Sequence, residues 1–230
     1  MPQPRTVLIV TDAWHPQVNG VVRSIERVAA EMTSRGIEVT FITPDAFRTV
    51  PMPGYSEIAL ALAPPRRVDE RIEAAGAEAI HIATEGPLGI LARRWCVRHN
   101  VPFSTAYHTQ FPEYLRARVP VPLGLSYAFL RWFHRPAAAC LVGTPYLKRL
   151  LEQRGFTNIQ LWPKGVDTDL FHPGKRDEIN LPKPIFLYVG RVAVEKNIEA
   201  FLKLDLPGTK LIVGGGPSLE GLRSAYPGAT

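Results

Sequence analysis

Short hydrophobic runs and stripes of helical period alternate along this chain. Val7-Leu8-Ile9-Val10 is an apolar run that reads as a buried strand. The turn-rich stretch Asp12 to Gly20 follows, and then Val21, Ile25, Val28 and Met32 recur at the 4-3-4 spacing of one helix face, which Gly36 closes. Val39 to Thr43 predicts a second strand, apolar on both faces as in a parallel sheet covered by helices. A strand, helix and strand of this length implies a right-handed crossover.

The alternation continues with a strand at Ile58 to Leu62, a helix near Val68 to Ala75, a strand at Ala79 to Ile82, a helix near Leu88 to His99 and a strand at Phe103 to Tyr107. A long helical region around Leu115 to Trp132 leads to a strand at Ala139 to Val142, a helix at Pro145 to Arg154 and a strand at Ile159 to Trp162. This pattern predicts an α/β fold built on a doubly wound parallel sheet. Lys164 to Pro184 holds Gly, Asp and Pro with little periodicity, so the expected division is a first Rossmann-like domain over residues 1–168, a linker over 169–184 and a second domain starting at 185–230. The second part offers a strand at Ile185 to Val189, a helix near Asn197 to Lys203, a strand at Lys210 to Val213 and a helix around Ser218 to Ala225. These fall short of a doubly wound domain of usual size, so an incomplete domain is expected.

Composition narrows the partners more than the fold. The 230 residues are 46% hydrophobic and 21% charged, ordinary for a globular chain that buries a sizeable core. The excess of 27 Lys and Arg over 21 Asp and Glu, with a sequence pI near 9.5, favours an anionic partner: a nucleotide diphosphate, a nucleic acid or an acidic membrane surface. Charge alone does not choose among these. Met1 to Thr6 runs into the first strand without a cleavage pattern, so no signal peptide is expected and the expected location is the cytoplasm. No window approaches the ~18 apolar residues of a membrane span, which leaves peripheral contact with the inner membrane face open. Cys96 and Cys140 lie far apart without CxxC spacing or metal-ligand neighbours and read as buried, reduced thiols.

Three strand-to-helix turns carry candidate chemistry. Asn19-Gly20-Val21 sits where unpaired helix N–H groups and a partial positive charge invite an anion, and a residue without Cβ lets a phosphate or sugar approach; a plain turn is the other reading. In Gly190 to Asn197, Arg191 offers a rigid fork of donors and Lys196 a flexible point charge, a pair suited to a diphosphate gripped and neutralised as it leaves. A solvated basic loop partnered by Glu195 is the bland alternative. Gly214-Gly215-Gly216-Pro217 invites comparison with a dinucleotide fingerprint but has Leu219 where the third glycine belongs, so it is either a loop against which a base or ribose lies or a tight turn. The turn Thr11 to Pro16 lacks the glycines of a nicotinamide dehydrogenase, and no GxSxG of a hydrolase is present.

Five strings, in order, resemble glycosyltransferase family 4: Pro16 to Val21, Tyr107 to Tyr114, Pro163 to Phe171, Tyr188 to Arg191 with Glu195-Lys196-Asn197, and Val213 to Pro217. Within the family the likeness is strongest to bacterial GDP-mannose-dependent α-mannosyltransferases and related enzymes that glycosylate lipids. The resemblance implies a GT-B architecture, two facing Rossmann-like domains with the sugar nucleotide held mainly by the second and the acceptor mainly by the first. It implies Arg191 and Lys196 on the donor diphosphate, Asn19 and Gly20 in the loop that closes over it, His108 beside the transferred sugar and Gly216 near the nucleoside. It also implies transfer with retention of configuration and without metal or other cofactor, the cationic side chains taking the place of Mg²⁺; no acidic cluster has metal-ligand spacing. His108 then orients and stabilises rather than attacks. Asp167 either faces the cleft or caps a local turn. A spaced pair of glutamates in the family's second domain has no counterpart here, so the chain is expected to be a fragment that does not turn over.

Tyr114 to Pro136 interleaves Arg116, Arg118, Arg131 and Arg135 with Leu125, Phe129, Trp132 and Phe133, which suits either an interfacial helix on anionic lipid or a core-packed helix with solvated arginines. Pro64-Pro65-Arg66-Arg67 adds a small basic patch. Nucleic acid is not expected, because the aromatic residues form no stacking platform on strands and the arginines no continuous stripe. The expected partners are a nucleotide sugar and a lipid or saccharide acceptor, with a noncatalytic sugar-nucleotide or anion-binding module as the alternative.

Overall fold

The computed structural model describes residues 3–17, 20–52, 55–108, 111–116, 121–172 and 180–229, and the chain divides into two compact units, residues 1–165 and 166–230. The first unit runs β1 (Thr6–Val10), α1 (Gly20–Ser34), β2 (Glu38–Ile42), β3 (Thr49–Met52), β4 (Tyr55–Ala61), α2 (Pro65–Ala75), β5 (Ala79–Ile82), α3 (Pro87–His99), β6 (Phe103–Tyr107), α4 (Phe111–Arg116), α5 (Leu123–His134), β7 (Ala139–Val142), α6 (Pro145–Gln153) and β8 (Ile159–Leu161). Six of these strands form one parallel sheet in the order β2-β1-β5-β6-β7-β8. The order steps away from β1 on both sides, so the loops after β1 and β5 diverge at the carboxyl edge, where open α/β sheets place their ligands.

The unbroken apolar run of β1 has its reason in the two covered faces. Leu8 and Val10 enter one core with Ile42, Ile82, Leu88, Ala92 and Phe103, while Val7 and Ile9 pack with Ile25, Ala29 and Ala83 on the other side. Successive strand residues point to opposite faces, so a strand apolar at every position needs helices on both. From α1 it is Val22, Ile25 and Ala29 that are buried, whereas Val21 and Met32 are only partly so.

Two elements differ from the sequence expectation. The strand expected at Ile58 to Leu62 overlaps β4 up to Ala61, and β4 pairs antiparallel with β3 and stands outside the main sheet. A parallel neighbour needs a crossover of roughly a dozen residues, and only two separate Met52 from Tyr55, so a hairpin is what the spacing allows. The long helix expected around Leu115 to Trp132 is two helices, α4 and α5, with Pro120 and Pro122 in between. Proline lacks the N–H that a continuous helix would use there. Among the described residues no helix is long and apolar enough to cross a membrane.

The second unit holds β9 (Ile185–Val189), α7 (Ile198–Leu202), β10 (Thr209–Val213) and α8 (Leu219–Ala225). β9 and β10 are parallel, and their covered face packs Tyr188 and Ile212 against Val192, Ile198 and Leu202. On the other face Leu187, Val189 and Val213 stand exposed.

Candidate functional site

At the carboxyl edge of the first sheet, β1 runs into two buried polar residues, Thr11 and Asp12. The Thr11 hydroxyl donates to the Ala13 carbonyl at 3.0 Å and accepts from the Ala13 N–H at 3.1 Å, which fixes the turn. Asp12 reaches across to the loop after β5. Its carboxylate accepts from the N–H groups of Leu88 at 2.9 Å and Gly89 at 3.2 Å, and from the Thr84 hydroxyl at 2.9 Å. A residue far away in sequence thus caps α3, whose first N–H groups have no partner of their own. The fit is tight enough that a Cβ on Gly86 would run into the Asp12 side chain. Burial pushes the Asp12 carboxyl up to about 6, against the opposing pull of those same hydrogen bonds.

The loop anchored by Asp12 leads to α1. Gly20 heads that helix, exposed and with open space where a side chain would stand. The first turn of α1 carries no acidic residue, so its partial positive charge is not neutralised from within. Asn19 lies outside the described residues.

His108 follows β6 directly. It lines a cavity of about 400 Å³ with Tyr107, Gly143, Thr144, Trp162 and Lys164, gathered from the ends of β6, β7 and β8. Burial first, then the charge of Lys164 and the presence of His81, lower the His108 pKa to about 3. The imidazole is therefore neutral at physiological pH, and its Nε2 is buried with no hydrogen-bond partner among the described residues. Buried polar atoms are almost always paired, so this nitrogen is an open position for a ligand hydroxyl. Burial also lowers the pKa of Lys164. Trp162 forms the wall between two histidines, with its ring centroid 6.5 Å from His108 and 6.1 Å from His81. The His81 Nδ1 meets the Ser104 hydroxyl at 2.9 Å, while its Nε2 is a second buried nitrogen without a partner among the described residues.

In the second unit the two strand-end loops are tied to one another. Gly190 N–H donates to the Val213 carbonyl at 2.9 Å, Val192 N–H to Gly215 at 2.8 Å and Ser218 N–H to Val192 at 3.1 Å. A Cβ on Gly214 would strike the Gly190 carbonyl and one on Gly216 the Val192 carbonyl, and both glycines have positive φ. Gly216 is therefore spent on close packing of backbone against backbone. A Cβ on Gly215 would meet only open space. Arg191 is half-buried and its carbonyl accepts from the Tyr188 hydroxyl at 2.9 Å; Lys196 stands exposed at the end of a 3₁₀ turn, Val194–Lys196. Both cations thus sit on the loop that follows β9. Asp167 holds a local turn, its carboxylate accepting from the N–H groups of Asp169 at 3.2 Å and Leu170 at 3.0 Å.

Glycosyltransferase Family 4 matches residues 18–170, more than half of the chain. The chain belongs to that family. A GDP-mannose-dependent alpha-mannosyltransferase of Mycobacterium tuberculosis (strain CDC 1551 / Oshkosh) is 28% identical over 97% of this chain and 66% of its own length. A sulfoquinovosyl transferase of Arabidopsis thaliana is 27% identical over 97% of this chain and 49% of its own length. The family 4 chain thus spans less than two thirds of the length of these curated relatives. Among solved structures, a sucrose-phosphate synthase from Thermosynechococcus elongatus superposes with a TM-score of 0.69 at 19% identity, over 98% of this chain and 69% of that one. That likeness gives the fold, which is GT-B.

Sequence reasoning singled out His108, Gly20, Arg191, Lys196 and Gly216, and the fold sets each at a strand end or helix start. It missed Asp12, Lys164 and Trp162 as parts of the carboxyl edge, and it passed over a histidine–glutamate pair of which only the histidine is fully buried. His134 is wholly buried, with Nδ1 2.9 Å from the Thr105 hydroxyl and Nε2 3.2 Å from the Glu85 carboxylate. Burial alone would lower its pKa, but the contacts with Cys140 and Glu85 push it up to about 9. The pair ties the end of α5 to the loop before α3.

Proposed function

We propose that this family 4 chain carries the acceptor-side domain and the diphosphate-gripping loop of a retaining hexosyltransferase. Mannose is the favoured sugar and a nucleoside-diphosphate sugar, GDP-mannose first, the donor; a lipid or saccharide hydroxyl is the acceptor. The mannosyltransferase relative supports the donor and the sulfoquinovosyl transferase relative shows how far sugars vary among similar chains. One observation carries the reading: a neutral, buried histidine with an open ring nitrogen beside Lys164 in a cavity at the carboxyl edge of a parallel sheet. Such a group holds a sugar hydroxyl without adding charge where the sugar becomes cationic.

In the proposed reaction the acceptor oxygen bonds to the anomeric carbon on the face from which the diphosphate departs. The bond from that carbon to the diphosphate oxygen breaks, and the acceptor proton passes to the leaving phosphate. Arg191 and Lys196 stabilise the charge that develops there, in place of a metal or other cofactor. Gly20 and the start of α1, whose first turn carries no acidic residue, offer a second anion contact. Asn19 belongs to the same loop, and Gly215 with Gly216 offers backbone to the nucleoside. The proposed setting is the cytoplasm, with acceptors at the inner membrane face. The reading gives nucleic acid no part, because the arginines form no continuous stripe along the sequence and the aromatic residues no stacking platform on strands.

The test is calorimetry with GDP, GDP-mannose, UDP and UDP-glucose, on this chain and on the same chain extended to the length of its relatives, followed by transfer of labelled sugar to lipid and saccharide acceptors. Guanine-selective binding with transfer supports the reading. Binding without transfer in the extended form would make it a noncatalytic sugar-nucleotide module, and no binding by either would sink both.

A further inference from the structure

A second concavity, of about 900 Å³, lies at the opposite end of the first unit and is larger than the His108 cavity. It is lined by Arg93, Arg131, Trp132, Arg135, Gly155 and Asn158 among others, that is, by the end of α5 and the segments that lead into β7 and β8. In a parallel sheet those segments sit at the amino edge, away from the loops that carry His108 and Gly20. Among the described residues no acidic side chain lines it. Among the described residues none of Arg93, Arg131, Arg135 or the neighbouring Arg154 forms an ion pair with a carboxylate.

The guanidinium groups are held in place by other means. Arg93 lies over the Trp132 ring at 3.9 Å and donates to the carbonyls of Phe133 at 2.9 Å and Trp132 at 2.7 Å. Arg131 donates to the Arg154 carbonyl at 3.2 Å, and Arg154 lies over the Tyr127 ring at 4.1 Å. Carbonyls and ring faces orient a cation but leave its charge uncompensated, and burial lowers the Arg93 pKa accordingly.

Beside this groove α5 shows two apolar faces. Tyr127, Leu130 and Phe133 are buried, while Leu125, Phe129 and Trp132 are 66%, 41% and 47% exposed. The exposed three follow i, i+4, i+7, so they form one stripe along the helix, and Phe129 and Trp132 touch with ring centroids 5.7 Å apart. An apolar stripe that ends in a cluster of uncompensated arginines, with a tryptophan at the boundary, matches the depth profile of a bilayer surface: acyl chains, then interface, then anionic headgroups.

We propose that α5 and the arginine groove dock this chain on an anionic membrane, with Leu125, Phe129 and Trp132 entering the interface and Arg131 and Arg135 meeting headgroup phosphates. α5 runs back along the sheet from the carboxyl edge after β6 to the amino edge before β7. A helix lying flat on the bilayer therefore keeps the His108 edge at the membrane surface as well. The inference concerns binding without donor or acceptor, so it stands or falls apart from the sugar-transfer reading.

The experiment is sedimentation of the purified chain with phosphatidylcholine vesicles, alone or mixed with phosphatidylglycerol, at low and high salt. Binding is expected only with the anionic lipid, weakened by salt. Arg131→Glu with Arg135→Glu should weaken it ~100-fold or more, taking ~5-fold per unit of charge, and Phe129→Ser with Trp132→Ser should weaken it without changing net charge. Arg23→Glu with Arg35→Glu, on and just after α1, which packs on the other face of the sheet, alters net charge equally and serves as the control. Equal loss in the control would reduce the effect to net charge and overturn the proposal. So would unchanged binding in both α5 variants, or a stripe that proves to be covered by a second copy of the chain in solution.

Discussion

Asp12 offers the sharpest physical test, because its burial and its hydrogen bonds pull in opposite directions. Raising its carboxyl from 3.8 to about 6 corresponds to about 3 kcal/mol. The folded state then holds the proton more tightly than the unfolded chain, so the stability this group contributes is present below pH 3.8 and is lost as pH rises through about 6. His81 and His108, lowered to about 4 and about 3, work the other way over an overlapping range, so the raw profile of the chain is a composite. Asp12→Asn isolates the term. It keeps the shape and one acceptor for the N–H groups of Leu88 and Gly89, but has no charge to bury. The assay is urea unfolding followed by tryptophan fluorescence at several pH values from 4 to 7; Trp14, Trp95, Trp132 and Trp162 all belong to the first unit, so the signal reports its unfolding. The difference between the two proteins should shift in favour of Asp12→Asn by up to about 3 kcal/mol across that range. Asp12→Ala, which leaves both N–H groups without an acceptor, should cost about 2–4 kcal/mol at low pH. Parallel pH profiles for the native protein and Asp12→Asn would refute the reasoning, and would mean that the hydrogen bonds cancel the cost of burial.

Other expectations follow from the same geometry. Arg191→Ala and Lys196→Ala should each weaken donor binding ~10- to 100-fold in calorimetry by removing a charge-assisted contact; unchanged affinity in the double variant would remove both residues from the donor site. Because the folded pKa of His108 lies below that of the unfolded chain, acid should destabilise the protein from about pH 6.5 downward, and His108→Gln should flatten that loss in acid-unfolding curves. Gly214→Ala forces a side chain against the Gly190 carbonyl at positive φ and should lower stability by about 2 kcal/mol or more, whereas Gly215→Ala should melt close to the native protein. Thermal melts that rank the two alike would contradict the packing described for these loops.

The elements legible in the sequence are those whose cause is local. β1, β6 and α1 announce themselves by runs and spacings confined to a few residues, and each forms close to where the pattern sets it. The β3 and β4 hairpin was hidden because its two short strands look like one strand and a loop. Only the impossibility of a crossover in so few residues reveals the pairing. α4 and α5 merge in the hydrophobic pattern, and Pro120 and Pro122 are the signal that separates them.

The site was legible to the extent that chemistry is carried by residue type at a strand end. Residue type at a strand end made Arg191 and Lys196 candidates beside the plainer reading of a solvated basic loop, and the family resemblance added His108, but the partners that set their surroundings could not be named. His108 is neutral because of burial and Lys164, and Asp12 caps a helix whose N–H groups lie 76 and 77 residues along the chain. No window of sequence contains both members of either pair. The glycines show the same limit from another side: Gly214, Gly215 and Gly216 are identical as letters, yet two are required by backbone contact and one faces open space. α5 goes a step further, since Leu125, Phe129 and Trp132 have the same hydrophobic character as Tyr127, Leu130 and Phe133. What distinguishes the two sets is which side the sheet covers, a property of topology, and the exposed set is read together with the arginines of α5 itself and those that α3 and the segment before β8 bring beside it. A helix that sequence alone left divided between core and interface buries one face in the core and leaves the other exposed, and it is the exposed face that the membrane proposal assigns to the interface.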